Sequence, residues 1–402
     1  MFDPNTLTGA DISTEFCGVK LRTPFILSSG PLGYGAKGLI AAHEAGCGAV
    51  VTKTIRIARA INPVRHIAAF GHSSLVNCEK WSDLEPEQWF THEIPLTKQA
   101  GATVIASLGH TPEEVRVLAL DAEKAGADMI ELVSYSEKDI YPMLETAKNL
   151  VDIPVICKLS GNWPDAVGVG LKCIERGADG ICAIDSIGPV LKIDIKNARP
   201  ALSGADGRGW MSGEVLRPLS LHVNAGIARE QPRFHSLYGS GGCMSARDAV
   251  EFLMAGCSCV GVCTLGILRG IDAIERLCLD LSSLLKELGY PAVEFARGAV
   301  LPYLPGRDVV SRLKFIFEPY PSERTGARGC SNCRRCVTVC SYGARTLDYP
   351  DMHVDADLCR NCGVCADVCP TGALRADILP QTEADFSREA ELVALEEKIK
   401  AL

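Results

Sequence analysis

Two cysteine runs of identical spacing constrain the C-terminal part of this 402-residue chain more than any other feature. Both have the pattern C-x-x-C-x-x-C-x-x-x-C, and together they contain Cys330, Cys333, Cys336, Cys340, Cys359, Cys362, Cys365 and Cys369. The chain has 19 cysteines and starts without the basic-then-apolar profile of a secretory signal, so we expect disulfides to be kept reduced. The eight clustered thiols are therefore predicted to bind metal, and the scattered eleven to pack mostly in the core.

The spacing favours iron–sulfur clusters over zinc. In bacterial two-cluster ferredoxins, three close thiolates of such a run hold one cluster and the fourth reaches the other. This crossed ligation assigns one [4Fe-4S] cluster to Cys330, Cys333, Cys336 and Cys369, and the second to Cys359, Cys362, Cys365 and Cys340. Structural zinc is the alternative, but two identical four-cysteine runs, the second followed by Pro370, fit the cluster pattern better. Ser341 departs from the usual proline in the first run. The sequence predicts a small α+β 2[4Fe-4S] ferredoxin domain over residues 326–378, which transfers single electrons.

The preceding residues alternate apolar runs with amphipathic stretches. The predicted strands are Pro24–Ser28, Ala49–Thr54, Thr103–Ser107, Met129–Val133, Pro154–Leu159, Gly180–Asp185, His235–Tyr238 and Cys259–Cys263. Eight strand–helix repeats predict an α/β fold, a (β/α)8 TIM barrel over residues 1–290, with a doubly wound sheet as the alternative. Residues 56–100 and 187–214 are long connections of the kind that build active sites at the carboxyl ends of barrel strands.

Two further segments complete the predicted organisation. Residues 291–325 are predicted to be a linker, and residues 379–402 an amphipathic helix. The apolar stripe of that helix consists of Leu392, Leu395, Ile399 and Leu402, and we expect it to dock on this protein or on a second copy.

Composition excludes several function classes. The net charge of −8 comes from 41 basic and 49 acidic residues, without a basic run that could follow a nucleic-acid backbone. No uninterrupted apolar stretch is long enough to span a membrane. We therefore expect a cytoplasmic protein that binds neither nucleic acid nor membranes.

Glycine clusters indicate a phosphate site. The G-x-G-x-x-G run from Gly33 to Gly38 lacks the acidic residue that a dinucleotide fingerprint needs, because no Asp or Glu occurs from Ala45 to Cys78. NAD binding is rejected there. Gly239–Gly242 and Gly261–Gly266 instead follow the seventh and eighth predicted strands, where TIM barrels bind phosphate. A mononucleotide flavin, FMN, is the economical ligand for a chain that also handles single electrons.

Several motifs, in order along the chain, resemble those of the dihydroorotate and dihydropyrimidine dehydrogenases. They include Ser28-Ser-Gly30, Thr52-Lys-Thr54, Lys158-Leu-Ser-Gly-Asn162, Asp185-Ser-Ile-Gly188 and Ser212-Gly213. These enzymes are FMN barrels, and the dihydropyrimidine type carries a C-terminal two-cluster ferredoxin domain. The resemblance implies that FMN is held by Ser28, Ser29, Gly30, Thr52, Lys53, Lys158, Ser186, Ser212, Gly213, Gly241, Gly242, Cys263 and Thr264. It also gives Lys53 a catalytic role.

The substrate residues depart from the family pattern. Where relatives carry an Asn-x-Ser-Cys/Ser-Pro-Asn run, this chain has Val133-Ser-Tyr-Ser136-Glu-Lys138. Gapless alignment places Ser136 at the proton-transfer position, Val133 and Lys138 at two substrate asparagines, and Asp185 at a third. Of that amide set Asn77 remains, and the predicted substrate residues are Asn77, Lys138, Asp185 and Ser186. Since asparagines match the alternating donors and acceptors of a pyrimidine, their loss favours another substrate, and Lys138 suits an anionic one.

The resemblance thus implies an anaerobic, homodimeric oxidoreductase that moves hydride between flavin N5 and a C=C or CH–CH unit. Its electrons would pass through the two clusters to a ferredoxin or to a separate NAD(P)H-dependent flavoprotein subunit. One alternative is a true dihydropyrimidine or dihydroorotate dehydrogenase with a rebuilt pocket. The other is an electron-transfer subunit without its own substrate.

Overall fold

A computed structural model describes residues 2–304 and 313–379, together with the isolated residues 394 and 398. The chain divides into two compact units, Met1–Leu304 and Pro305–Leu402. The predicted helix over 379–402 lies almost entirely outside the described residues. No helix among the described residues is both long enough and apolar enough to cross a membrane.

The first unit is built on a closed barrel of eight parallel strands, which pair in chain order. The strands are β1 (Phe25–Leu27), β2 (Ala49–Val51), β3 (Val104–Gly109), β4 (Met129–Val133), β5 (Val155–Leu159), β6 (Gly180–Ala183), β7 (Leu237–Gly239) and β8 (Cys259–Val262). All are buried along their length, as their continuous apolar runs predict for parallel strands covered on both faces. The predicted TIM barrel is confirmed.

Helices cover the outside of the barrel. They are α1 (Ala36–Glu44), α2 (Ile94–Gln99), α3 (Pro112–Lys124), α4 (Glu137–Lys148), α5 (Ala166–Glu175), α6 (Arg217–Glu230), α7 (Ala246–Met254) and α8 (Ala273–Glu287). Shorter helical segments occur at Pro86–Gln88, Trp89–Glu93, Thr264–Arg269 and Val293–Ala296. At the start of α3, the Thr111 hydroxyl accepts a hydrogen bond from the Glu114 amide at 3.3 Å, as a helix cap does. The Glu114 carboxylate binds the His110 amide and Arg56, so this cap also fixes the end of β3.

The barrel interior is filled by side chains from alternate strand positions, including Ile26, Met129 and Tyr238. A hairpin, Thr14–Phe16 with Val19–Leu21, contributes Phe16 and Leu21 to the same cluster. Nine of the eleven scattered cysteines are buried, the exceptions being the half-buried Cys17 and Cys263.

The two long connections form one structure. Each contributes two strands to an antiparallel sheet with the order Ile187–Val190, Gly209–Gly213, Ser74–Asn77, Ile67–Phe70. The second connection also forms a short hairpin, Ile193–Asp194 with Arg199–Pro200. We call the four-stranded sheet the mouth sheet. Its central pairing sets Trp210 opposite Asn77, so residues more than a hundred positions apart meet beside the barrel opening.

Over residues 313–379, the second unit contains three antiparallel pairs and two short helices. The pairs are Leu313–Phe317 with Leu374–Ile378, Pro321–Ser322 with Ala327–Arg328, and Arg345–Asp348 with Asp351–Val354; the helices are Arg335–Thr338 and Val364–Asp367. The predicted linker over 291–325 needs correction. Val293 and Ala296 are buried in the first unit, and Leu313–Phe317 is a strand of the second. The apolar side chains of these two segments account for their packing. The nearby prolines and glycines made both segments resemble a linker in the sequence.

Candidate active site

A cavity of about 1090 Å³, partly open to solvent, lies at the carboxyl ends of the barrel strands. Every strand supplies lining residues from its end or from the loop that follows. The strand-end residues are Ser28–Gly30, Lys53, His110, Val133, Lys158, Asp185, Ser240–Gly242 and Cys263. The mouth sheet adds Ile67, Leu75, Asn77, Ser212 and Gly213. This is where barrel enzymes place their active sites.

Most of the predicted site residues meet in this cavity. Those that line it are Ser28, Ser29, Gly30, Lys53, Asn77, Lys158, Asp185, Ser186, Ser212, Gly213, Gly241, Gly242, Cys263 and Thr264. Three others are not among its lining residues. The Thr52 hydroxyl is buried and accepts a hydrogen bond from the Ser107 amide at 3.0 Å, so it joins β2 to β3. Ser136 immediately precedes α4, and Lys138 lies in its first turn.

One wall, which we call the glycine side, consists of Gly213, Gly241 and Gly242 with Cys263 and Thr264. All three glycines have positive φ angles, of 93°, 99° and 116°, which residues with a Cβ rarely adopt. A Cβ at Gly242 would lie 2.5 Å from the Arg217 Cβ, and one at Gly213 would lie 2.4 Å from the Ser73 carbonyl oxygen. At these three positions the wall is backbone without a Cβ, which suits a phosphate group.

Lys158 lies at the floor of the cavity between two carboxylates. Its Nζ is 3.4 Å from Asp185 Oδ1 and 3.7 Å from Glu131 Oε1, and the side chain is only 5% exposed. Burial alone would lower the pKa of Lys158, but Asp185 and Glu131 outweigh it and raise that pKa. Lys158 is therefore a cation at any physiological pH. Burial raises the pKa of Glu131, which faces the Lys158 ammonium.

Lys53 forms a second ion pair in the cavity. Its Nζ lies 2.6 Å from Glu79 Oε2, and both side chains are largely buried. The Lys53 backbone amide donates to the Gly33 carbonyl at 2.8 Å, which joins the first barrel loop to β2. Glu79 was not predicted, because it follows the mouth sheet at a position with no motif.

Hydroxyl groups link neighbouring strand ends. Ser28 Oγ is 2.5 Å from the Tyr238 hydroxyl. The Thr54 hydroxyl lies 3.2 Å from that of Ser29 and 3.1 Å from that of Ser107. Such side chains hold the barrel ends in register and offer donors and acceptors to a ligand.

The opposite wall, which we call the aromatic side, contains Trp81, His110 and Tyr135. Tyr135 stacks on His110 with ring centroids 4.6 Å apart, and Trp210 stacks on Tyr135 at 6.2 Å. Trp81 meets His110 edge-on at 5.3 Å, and the Arg56 guanidinium lies 4.3 Å from the Trp81 ring. The sequence analysis did not predict these rings. The signal that could have identified them is an aromatic residue near the end of several strands.

Two titratable groups of the aromatic side are uncharged near neutral pH. Burial, reinforced by Arg56, lowers the pKa of His110 to about 4. Although Tyr135 is 59% exposed, desolvation of its hydroxyl, reinforced by Asp185, raises the pKa of Tyr135 to about 12. His110 is therefore a neutral imidazole, and Tyr135 keeps its hydroxyl proton.

The Asn77 side chain is already engaged. Its Nδ2 donates to the Trp210 carbonyl at 3.2 Å, across the mouth sheet. This amide nitrogen thus joins two strands of the mouth sheet.

The cavity fits the flavin mononucleotide that the sequence predicts. The glycine side presents backbone unobstructed by any Cβ, as a phosphate requires, and Lys158 is a buried cation suited to a ring that gains negative charge. Gly33, Gly35 and Gly38 serve packing instead, since a Cβ at Gly38 would lie 1.8 Å from the Leu32 carbonyl oxygen.

The second unit has a cavity of about 310 Å³ that four thiols line. They are Cys330, Cys333, Cys336 and Cys369, the set that crossed ligation assigns to one cluster. No three His, Cys, Asp or Glu side chains of the described residues converge on a position for one metal ion.

Comparison with known proteins agrees with both units. Residues 121–285 match the dihydroorotate dehydrogenase domain family, and residues 329–373 match the 4Fe-4S dicluster domain family. The chain is 32% identical to the catalytic subunit of dihydroorotate dehydrogenase B (NAD(+)) from Pyrococcus abyssi, over 72% of this chain and 99% of that protein. The corresponding subunit from Methanothermobacter thermautotrophicus is 30% identical, over 70% of this chain and 96% of that protein.

A further relative matches more of the chain. The NAD-dependent dihydropyrimidine dehydrogenase subunit PreA of Escherichia coli is 27% identical over 83% of this chain and 86% of its own length. These relatives are oxidoreductases that act on CH–CH groups, and several are named as subunits. With a dihydroorotate dehydrogenase barrel followed by a 4Fe-4S dicluster domain, the chain belongs to the dihydroorotate dehydrogenase family.

Proposed function

We propose that this protein interconverts a C=C and a CH–CH unit in a small non-pyrimidine substrate, using FMN and two [4Fe-4S] clusters. One observation carries the proposal. The glycine side and the lysines of the cavity match the family pattern, whereas the amide positions of the substrate side are replaced and Asn77 is bonded to Trp210.

FMN, when bound, supplies hydride transfer at its ring and exchange of one or two electrons. Gly213, Gly241, Gly242 and Thr264 would hold its phosphate, and Lys158 would stabilise negative charge on the reduced ring. Glu131 and Asp185 keep Lys158 in place and protonated. Lys53, after β2, is held by Glu79 and would contact the same ring.

The aromatic side defines the class of substrate that we propose. Lys53 and Lys158 are paired with carboxylates, and the rings of Trp81, His110 and Tyr135 line the cavity beside them. Flat rings stack well on such a wall, and a neutral His110 does not repel them. We therefore propose a substrate in which the C=C bond is conjugated to a flat, largely apolar group. Lys80, exposed at the cavity edge, could pair with an acidic group on it.

The direct test is a substrate screen on the anaerobically purified protein. Absorbance and metal analysis should first give one FMN and about eight irons per chain. The flavin is then reduced with dithionite and mixed with aryl-substituted unsaturated acids, orotate and uracil. We expect reoxidation by aryl-substituted acids and none by the pyrimidines. Reoxidation by orotate or uracil alone would establish a true pyrimidine enzyme. Silence toward all of them, with rapid electron exchange with ferredoxin, would establish an electron-transfer subunit.

The second proton of the reaction needs a donor, and two neighbouring hydroxyls are candidates. Ser136 has the position that the family pattern gives to this group, but it precedes α4 away from the cavity lining. Tyr135 lines the cavity, and a tyrosine hydroxyl carries its proton at neutral pH. We propose Tyr135 as the donor.

A matched pair of variants separates them. Tyr135→Phe keeps the ring and its stacking on His110 but removes the hydroxyl, so we expect flavin reoxidation to slow by about 10²–10⁴-fold. Ser136→Ala should change the rate of flavin reoxidation by less than about threefold. The reverse pattern, measured by stopped-flow absorbance, would return the role to Ser136.

The electron partner is proposed to be a ferredoxin or a separate NAD(P)H-dependent flavoprotein subunit. Relatives named as NAD-dependent subunits support a partner, and the packing role of Gly33–Gly38 removes the chain's own dinucleotide fingerprint. NADH alone should therefore leave the flavin oxidised, and reduced ferredoxin should reduce it. Reduction by NADH alone would refute the need for a partner.

A further inference from the structure

The two cysteine runs of the second unit have nearly equivalent backbones. Asn332 and Asn361 both adopt the left-handed conformation, with φ of 51° and 54°, and so do Arg334 and Gly363 two positions later. A short helix follows in each run, Arg335–Thr338 and Val364–Asp367. The two halves can therefore be compared position by position.

One equivalent pair differs sharply in chemistry. The fourth cysteine of each run is followed by x-x-Gly-Ala and then by Arg345 in the first run and Leu374 in the second. Both side chains are buried, at 3% and 2% exposure. Leu374 lines the cavity of Cys330, Cys333, Cys336 and Cys369. Arg345 Nε donates a hydrogen bond to Cys365 Sγ at 2.9 Å.

Arg345 is incompletely satisfied by the protein. Its guanidinium carbon lies 4.1 Å from the centre of the Phe315 ring, a favourable cation–π contact. Among the described residues, however, Nη1 and Nη2 have no acceptor although both are buried. A buried guanidinium needs negative charge nearby. A four-cysteine iron–sulfur cluster is net negative and provides sulfur acceptors, so the unused donors favour one beside Arg345.

We propose that Arg345 raises the reduction potential of the cluster assigned to Cys340, Cys359, Cys362 and Cys365 above that of the other cluster. This inference rests on the two clusters of the proposed function. A cationic donor to a ligand sulfur stabilises the reduced cluster more than the oxidised one, because reduction adds one negative charge. Leu374 offers neither charge nor donor to its cluster.

The consequence is a direction for internal electron transfer. One electron leaves the cluster beside Leu374 and enters the cluster beside Arg345; the first is oxidised and the second is reduced. No bond forms or breaks. No proton moves either, because arginine keeps its protons at physiological pH. At equilibrium, a single electron in this unit therefore resides mainly on the cluster beside Arg345.

The test is a potentiometric titration of the full chain followed by electron paramagnetic resonance. Arg345→Leu copies the residue of the other half, and Leu374→Met is the matched control of similar volume. We expect Arg345→Leu to lower one midpoint potential and to leave the other in place. The electron distribution between the clusters should shift by about tenfold, which is 59 mV for one electron. Leu374→Met should change neither midpoint.

Two results would overturn the proposal: unchanged midpoints in Arg345→Leu with its iron retained, or an equal shift of both. Should Arg345→Leu lose iron, Arg345→Gln decides, because it keeps an N–H donor but removes the charge. A lowered single midpoint in Arg345→Gln supports the proposal, and unchanged midpoints refute it. Wild-type protein without eight irons would instead refute the proposed clusters, so the two failures are distinguishable.

Discussion

The glycine side and the aromatic side of the barrel cavity are built by different means. The glycine side depends on backbone, with positive φ angles and no space for a Cβ at Gly213 and Gly242. The aromatic side depends on side chains that stack on one another, such as His110 on Tyr135. A backbone requirement restricts a position to glycine, whereas a stacked wall can be rebuilt by several substitutions. This difference predicts a cofactor site that is shared with the family beside a substrate site that is altered.

The largest effect should come from Lys158, which joins the two sides at the cavity floor. Lys158→Met leaves Glu131 fully buried without its cation, and we expect the free energy of unfolding to fall by about 3–5 kcal/mol. All four tryptophans, at positions 81, 89, 163 and 210, lie in the first unit, so urea unfolding followed by tryptophan fluorescence reports on the barrel.

Lys53→Met is the control for that measurement. Its partner Glu79 lines the open cavity, where water can solvate it, so this variant should lose less stability. Adding Glu131→Gln to Lys158→Met should restore part of the loss, because the amide carries no charge. Equal losses in the two lysine variants would show that the buried carboxylate is not decisive.

The pH dependence of stability tests the neutral state of His110 on the aromatic side. Burial lowers the pKa of His110 from 6.5 to about 4, so between these pH values the unfolded chain binds the proton and the folded barrel does not. Stability is therefore lost as the pH falls from 6.5 toward 4, by about 3 kcal/mol in total from this group.

His110→Asn is expected to flatten that part of the profile. The quantity to compare is the change of the urea midpoint with pH, so a uniform loss of stability in the variant does not affect the result. A wild-type profile that is unchanged in His110→Asn would mean that His110 titrates normally in the folded barrel.

The glycine side is tested by Gly242→Ala against Gly177→Ala. Both glycines have positive φ, of 116° and 91°, but an added Cβ meets Arg217 only at Gly242 and meets nothing within 4 Å at Gly177. Gly177→Ala should lose only the strain of a left-handed residue, about 1–2 kcal/mol. Gly242→Ala should lose about 1–3 kcal/mol and also bind FMN about tenfold more weakly, measured by flavin fluorescence on dialysis. Equal FMN affinity in both variants would remove Gly242 from the cofactor site.

The barrel and the glycine side were predictable because their signals are local. Continuous apolar runs specify strands, and paired glycine clusters after β7 and β8 mark a phosphate site. Glu79 and the mouth sheet were not predictable, because Trp210 and Asn77 meet only through pairing of distant, short strands. The loop after β4 shows the limit of alignment without structure. Tyr135, one residue before the aligned Ser136, lines the cavity because α4 starts at Glu137.

The smallest expected effect concerns Asn77, the one predicted substrate asparagine that this chain shares with the family pattern. Asn77→Ala removes the hydrogen bond to the Trp210 carbonyl, which should lower the unfolding free energy by about 1 kcal/mol. Because this amide nitrogen already donates to the Trp210 carbonyl, KM for the substrate found in the screen should change by less than about threefold. The loss of a hydrogen bond to the substrate would change KM more. Asn77→Asp is the informative companion, since it keeps the size but places an acceptor against the Trp210 carbonyl. It should therefore destabilise the barrel more than alanine does. A large rise in KM with unchanged stability in both variants would show that Asn77 contacts the substrate. The cavity would then retain part of the family's pyrimidine recognition despite the stacked rings of the aromatic side.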